Sequence, residues 1–133
     1  MADQELDVNG PPPNLSGKTC EALLLSQFFQ SGGLIEPANV IHLKFGGEWY
    51  RLYFDHGIIF WRSSDQPTPW TDTDEEWQSP LLDLGREAGL VGSTLLRYSM
   101  TPTPAGSRVD FHFADGKRVS FEDTNDRTDY QVG

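Results

Sequence analysis

The chain has 133 residues, one cysteine, and ten basic against twenty acidic side chains for a net charge of -10. That length supplies a hydrophobic core without help from metal or disulfide, and the lone Cys20 excludes both an intrachain bridge and a multi-cysteine zinc site. The acidic field repels nucleic acid and anionic lipid, so the expected macromolecular partner is a basic protein, with neither nucleic acid nor membrane as alternative.

Asp3, Glu5 and Asp7 stand where a secretory signal would carry lysines. No apolar run approaches the roughly 20 residues that span a bilayer. Together with the single thiol, this points to a cytoplasmic protein. Residues 1–14, acidic and ending in Pro11-Pro12-Pro13, read as a disordered or extended tail, and a single domain is expected over 15–133.

Ser16 is placed to cap a helix over Gly17 to Gln30, in which Leu24, Leu25, Phe28 and Phe29 fall on one side and Ser26, Gln27 and Gln30 on the other. Leu24 and Phe28 are its expected core residues. Ser31-Gly32-Gly33 ends it. From Asn39 the period turns alternating, and Gly46-Gly47 separates Val40–Phe45 from Glu48–Phe54. A turn there sets Phe45 opposite Glu48, Leu43 opposite Tyr50 and Ile41 opposite Leu52, giving one apolar face and a second carrying His42, Lys44, Trp49, Arg51 and Tyr53. A three-residue link, Asp55-His56-Gly57, then adds Ile58 to Arg62 with Ile59 and Trp61 on that second face.

Ser63 to Pro80 lacks an apolar period and reads as a long loop holding Trp70 and Trp77 around Asp72, Asp74, Glu75 and Glu76, with one helical turn suggested by Thr73 and Glu76. Leu81 to Ala88 suggests a short helix, and Thr94 to Met100 a strand. In Val109 to Phe121, a three-residue loop of Ala114, Asp115 and Gly116 pairs Phe111 with Val119 and Val109 with Phe121, which a two-residue turn would not. Asp123 to Gly133 is polar and expected to fray. The elements add up to an α+β fold: a five- or six-stranded antiparallel sheet of hairpins with the N-terminal helix packed on one face.

Motifs of known chemistry fail on their own requirements. Gly17-Lys18-Thr19 has Pro12 where a phosphate loop needs glycine and a polar tail where it needs a strand. Asp72 to Glu76 opens like a calcium loop, but Trp77 replaces its turn glycine and Asp83 its bidentate glutamate. His42, His56 and His112 have no ligand spacing, and no cofactor or metal is implied.

Two surfaces remain. The first is the loop: Trp70 and Trp77 are the residue type that anchors interfaces, and the carboxylates of Asp72, Asp74, Glu75 and Glu76 would steer a basic partner. The expected function is accordingly a small acidic protein-binding domain, of the inhibitor, immunity or adaptor kind. The alternative is a small-ligand-binding domain or enzyme with a pocket over His42, Lys44, Trp49, Arg51, Tyr53 and Trp61, where aromatics beside cations suit a planar or anionic ligand.

Overall fold

The computed structural model describes residues 6–133. It contains strands β1 (Val8–Asn9), β2 (Cys20–Gln30), β3 (Gly33–Phe45), β4 (Glu48–Asp55), β5 (Ile58–Ser64), β6 (Trp70–Thr71), β7 (Trp77–Ser79) and β8 (Leu81–Leu82). A short helix α1 (Leu84–Glu87) follows, then β9 (Leu95–Thr103), β10 (Gly106–Phe113), β11 (Arg118–Thr124) and β12 (Arg127–Val132). The first eight strands form one sheet in the order β1-β5-β4-β3-β2-β7-β6, with β8 also on β2, and the last four form a second in the order β12-β11-β10-β9. All neighbours are antiparallel except β1, which runs parallel to β5.

The α+β expectation is therefore overturned: the fold is nearly all β, and Gly17 to Gln30 holds no helix packed on a sheet. Leu23 and Leu25 are buried on one face of β2 while Leu24 is only half-buried on the other. Both edges of β2 are occupied, by β3 on one side and by β7 and β8 on the other. A strand packed on both faces reads as a continuous apolar run, and such a run matches helical spacing as readily as alternation. Leu24 and Phe28 are consequently partly covered rather than central.

The glycine pair Gly46-Gly47 connects β3 to β4 in the expected register, with Phe45, Leu43 and Ile41 opposite Glu48, Tyr50 and Leu52. The β4–β5 turn departs from expectation. Asp55 pairs with Ile58, leaving a two-residue connection in which His56 and Gly57 both adopt positive φ, 51° and 76°. This is the primed hairpin turn whose twist matches the flanking strands, with the histidine accepting the less common conformation. The one-residue difference exchanges the faces of β5, so Ile59 and Trp61 enter the core and Ile58 and Phe60 face outward.

The core lies between the sheets. Leu23, Leu25, Ile41, Leu43, Leu52, Ile59 and Trp61 from the first meet Val109, Phe111, Val119 and Phe121 from the second, all at most 1% exposed. Trp61 lies 5.4 Å from the Tyr98 ring and edge-on to Phe111 at 6.5 Å. The β10–β11 hairpin has the expected register, Val109 opposite Phe121 and Phe111 opposite Val119, and Gly116 carries φ of 88°.

The chain ends also differ from expectation. Residues 1–5 of the anticipated tail lie outside the described residues. Of the rest, Val8–Asn9 pairs with β5, the Tyr98 hydroxyl donates to the Pro13 carbonyl at 2.5 Å, and Leu15 is buried. Residues 123–133, expected to fray, instead supply the end of β11 and all of β12, with Asp123 and Thr128 buried. The Thr128 amide donates to Glu36 of β3 across the sheet boundary. Helix α1 begins at Leu84, capped by the Asp83 carboxylate, because Leu81 and Leu82 pair with β2 instead of opening the helix. Among the described residues no helix is long and apolar enough to cross a membrane.

Candidate functional site

The segment expected to be a loop is a small hairpin. Trp70 and Thr71 of β6 pair with Ser79 and Gln78 of β7, and β7 pairs with the end of β2. The tip is closed by the Asp72 amide on the Trp77 carbonyl at 3.1 Å, with Glu75 in the left-handed region, so no helical turn forms at Thr73. Trp77 stacks on Phe28 at 5.2 Å between ring centres, which fixes the hairpin to the sheet. Trp70 is not held this way. It is 52% exposed on the strand that ends the sheet.

Asp74, Glu75 and Glu76 are exposed at the tip and Asp72 is half-buried. None of them takes part in an ion pair among the described residues. The arrangement joins an unneutralised acidic tip, a free tryptophan and the open hydrogen-bonding edge of β6. Such an edge accepts another chain unless it is protected.

The outer face of the first sheet brings together five of the six residues proposed for it. His42 pairs with Arg51 and Lys44 with Trp49, the lysine ammonium standing 5.8 Å from the indole centre. Tyr53 stacks on Phe60 at 4.9 Å with the rings nearly parallel. Trp61 is absent from this face, because the β4–β5 turn sends it into the core, where it is 1% exposed. Neither α1 nor the 63–80 segment closes over the whole face: Trp49 and Tyr53 remain half-exposed and Arg51 exposed.

A recess of about 380 Å³ opens on this face, walled by Ser26, His42, Arg51 and the 63–68 segment. Ser26 and His42 Nε2 are 2.7 Å apart. His42 is 7% exposed, and burial, reinforced by the nearby Arg51 charge, depresses its pKa to about 4, so the ring is neutral at pH 7. Its Nδ1 is buried without a protein partner. A Ser–His pair performs nucleophilic chemistry when a third group orients the imidazole and donors receive the oxyanion. Among the described residues no group orients Nδ1, so the third member that such a pair needs is not in place. Cys20 is inert, fully buried with its pKa raised to about 12, chiefly by burial.

Ser26 escaped the sequence reading because the helix assignment placed it on a solvent face. Strand alternation from Leu23 and Leu25 would have put it on the opposite face with Leu24, whose partner across the β2–β3 pair is His42. No family model matches the chain, and no curated protein or solved structure matches it either.

Proposed function

We propose that the protein is a small acidic binding domain that docks a basic protein through the β6–β7 hairpin, as an inhibitor, immunity or adaptor domain would. One observation carries this reading: the exposed Trp70 stands on a free sheet edge beside the unpaired carboxylates of Asp72, Asp74, Glu75 and Glu76. Tryptophan supplies a large desolvated anchor, and the carboxylates raise the encounter rate with a positive surface. Trp77 supports the hairpin from beneath through Phe28.

The test is binding kinetics against a partner recovered from the native host, at two salt concentrations. Changing Asp72, Asp74, Glu75 and Glu76 together to Asn and Gln slows association and flattens its salt dependence, because steering is screened over about 10 Å at 0.1 M salt. Trp70→Ala hastens dissociation.

A second reading rests on the recess. Its neutral imidazole, serine hydroxyls and the Arg51 guanidinium suit a small polar or anionic ligand, with Lys44, Trp49 and Tyr53 farther along the face. If affinity survives all the hairpin changes and collapses on Arg51→Ala or Trp49→Ala, the recess is the functional surface and docking through the hairpin is wrong.

A further inference from the structure

At the end of the sandwich away from the β4–β5 turn, a pocket of about 500 Å³ opens beside the start of β4 and the end of β5. Its other wall is the chain that follows β1, Pro11 to Asn14, and no residue of the second sheet lines it. Three proline rings, Tyr50 and Trp61 give it an apolar lining.

The pocket exists because core packing stops short there. Ile59, Trp61 and Ser63 share one face of β5 by alternation, but Ser63 stands opposite Tyr50 where another apolar pair would continue the core. The segment over this gap is fixed at both ends. Gly10, with φ of 90°, passes so close to β5 that a side chain there would run into the Trp61 carbonyl. Beyond it the Pro13 carbonyl accepts from Tyr98, and Leu15 is buried.

The charge of the pocket is opposite to that of the protein. The chain carries a net charge of -10, yet no Asp or Glu lines this pocket, and its two charged residues are Lys18 and Arg62. Neither takes part in an ion pair among the described residues. The cleft at the other end of the sandwich, by contrast, is lined by Asp7, Asp123 and Asp126. Arg62 is also held in place. Its guanidinium donates to the Asn9 carbonyl at 3.0 Å, the Asn9 side chain at 2.5 Å and the Trp61 carbonyl at 2.7 Å. Of its five donors, two therefore remain for a ligand. The Tyr50 proton is committed to Glu48 at 2.9 Å, so that residue offers its ring.

Ligand pockets are commonly about 300–1,000 Å³, mostly apolar, with a few polar groups that fix orientation. We propose that this pocket binds a small aromatic carboxylate, its ring against the prolines, Tyr50 and Trp61 and its carboxylate toward Lys18 and Arg62. A planar guanidinium matches a carboxylate, and two unpaired cations select an anion over a neutral molecule of the same shape. The site is separate from the docking hairpin, since β5 and β6 lie toward opposite edges of the first sheet.

The test is calorimetric titration of the full chain with naphthoate and with its neutral counterpart, naphthamide. Wild type binds one naphthoate saturably, about tenfold or more tightly than the amide. Lys18 is exposed, so Lys18→Gln keeps the wild-type Tm but reduces that preference about threefold or more. Ser63→Phe places a ring in the pocket and abolishes binding of both compounds. Arg51→Ala, in the recess on the outer face, and Trp70→Ala, on the hairpin, leave both affinities unchanged. The proposal is overturned if naphthoate does not bind saturably, if the amide binds equally well, or if Lys18→Gln leaves the preference intact. Loss of binding in Arg51→Ala overturns it as well, since the ligand then sits in the outer recess.

Discussion

His42 Nε2 lies 2.7 Å from the Ser26 hydroxyl across the β2–β3 pair, the one side-chain hydrogen bond of the buried ring among the described residues. Protonating this imidazole requires a charge in a poorly solvated place beside Arg51. The folded pKa, about 4, lies below the ordinary 6.5, so the contribution to stability is present above pH 6.5 and is lost as pH falls through 4. His42→Gln should therefore flatten the stability curve across that window, by on the order of 2 kcal/mol after allowing for solvent screening at the recess. Urea unfolding of both proteins in EDTA at several pH values checks it. An unchanged difference between them from pH 7 to pH 4 would show that the ring titrates normally.

Asp123 acts with the opposite sign. Burial first, then the charges of Asp126, Glu36 and Asp55, raise its pKa from 3.8 to about 6. Its contribution is fully present below pH 3.8 and is lost as pH rises through 6. Without divalent cations, Asp123→Asn should be more stable than wild type at pH 7, and the advantage should vanish near pH 4. Denaturant midpoints in EDTA at these two pH values decide it.

The Phe28–Trp77 stack is the attachment of the hairpin to the sheet. Because Phe28 is half-buried, Phe28→Ala should cost about 1–2 kcal/mol, less than truncation of a central aromatic. A double-mutant cycle with Trp77→Ala should show coupling of about 0.5–1.5 kcal/mol. Additive effects would mean the stack does not hold the hairpin.

Trp61→Ala, by contrast, removes the largest fully buried side chain and breaks contact with Tyr98 and Phe111 in the other sheet. A loss of about 3–5 kcal/mol is expected, enough to unfold a marginal domain. Near-ultraviolet circular dichroism and thermal unfolding measure it, and an unaffected Tm would contradict the placement of Trp61 between the sheets.

Gly116 closes the β10–β11 hairpin with φ of 88° and has open space where a side chain would go. Gly116→Val should cost more than about 1 kcal/mol through backbone strain alone, since a β-branched residue resists that conformation. Gly116→Asn should recover much of it in the same unfolding assay.

Where side-chain alternation and turn chemistry agree, the sequence by itself determined the structure. Ile41, Leu43 and Phe45 alternate with polar neighbours, and Gly46-Gly47 admits the turn that sets them opposite Leu52, Tyr50 and Glu48. Val109, Phe111, Val119 and Phe121 do the same around Ala114 to Gly116, where the rival register would have split the apolar residues between faces. In both cases the information is local, carried within about a dozen residues of chain.

Tertiary structure decided the rest, because local pattern was silent or double-valued there. In Ile58-Ile59-Phe60-Trp61 every residue is apolar, so either register gives a plausible core. The choice fell to the His56-Gly57 turn and to the space that the second sheet leaves for Trp61. The run from Leu23 to Phe29 fits a helix as well as a strand until β3, β7 and β8 occupy its edges. Trp70 to Ser79 has no alternation and becomes a hairpin only by pairing with β2. Asp123, which reads as one acid in a polar tail, is buried because β12 pairs with β11 and leans on β3. Such long-range pairing places Asp123 and the edge strand that carries Trp70, and no spacing along the chain encodes it.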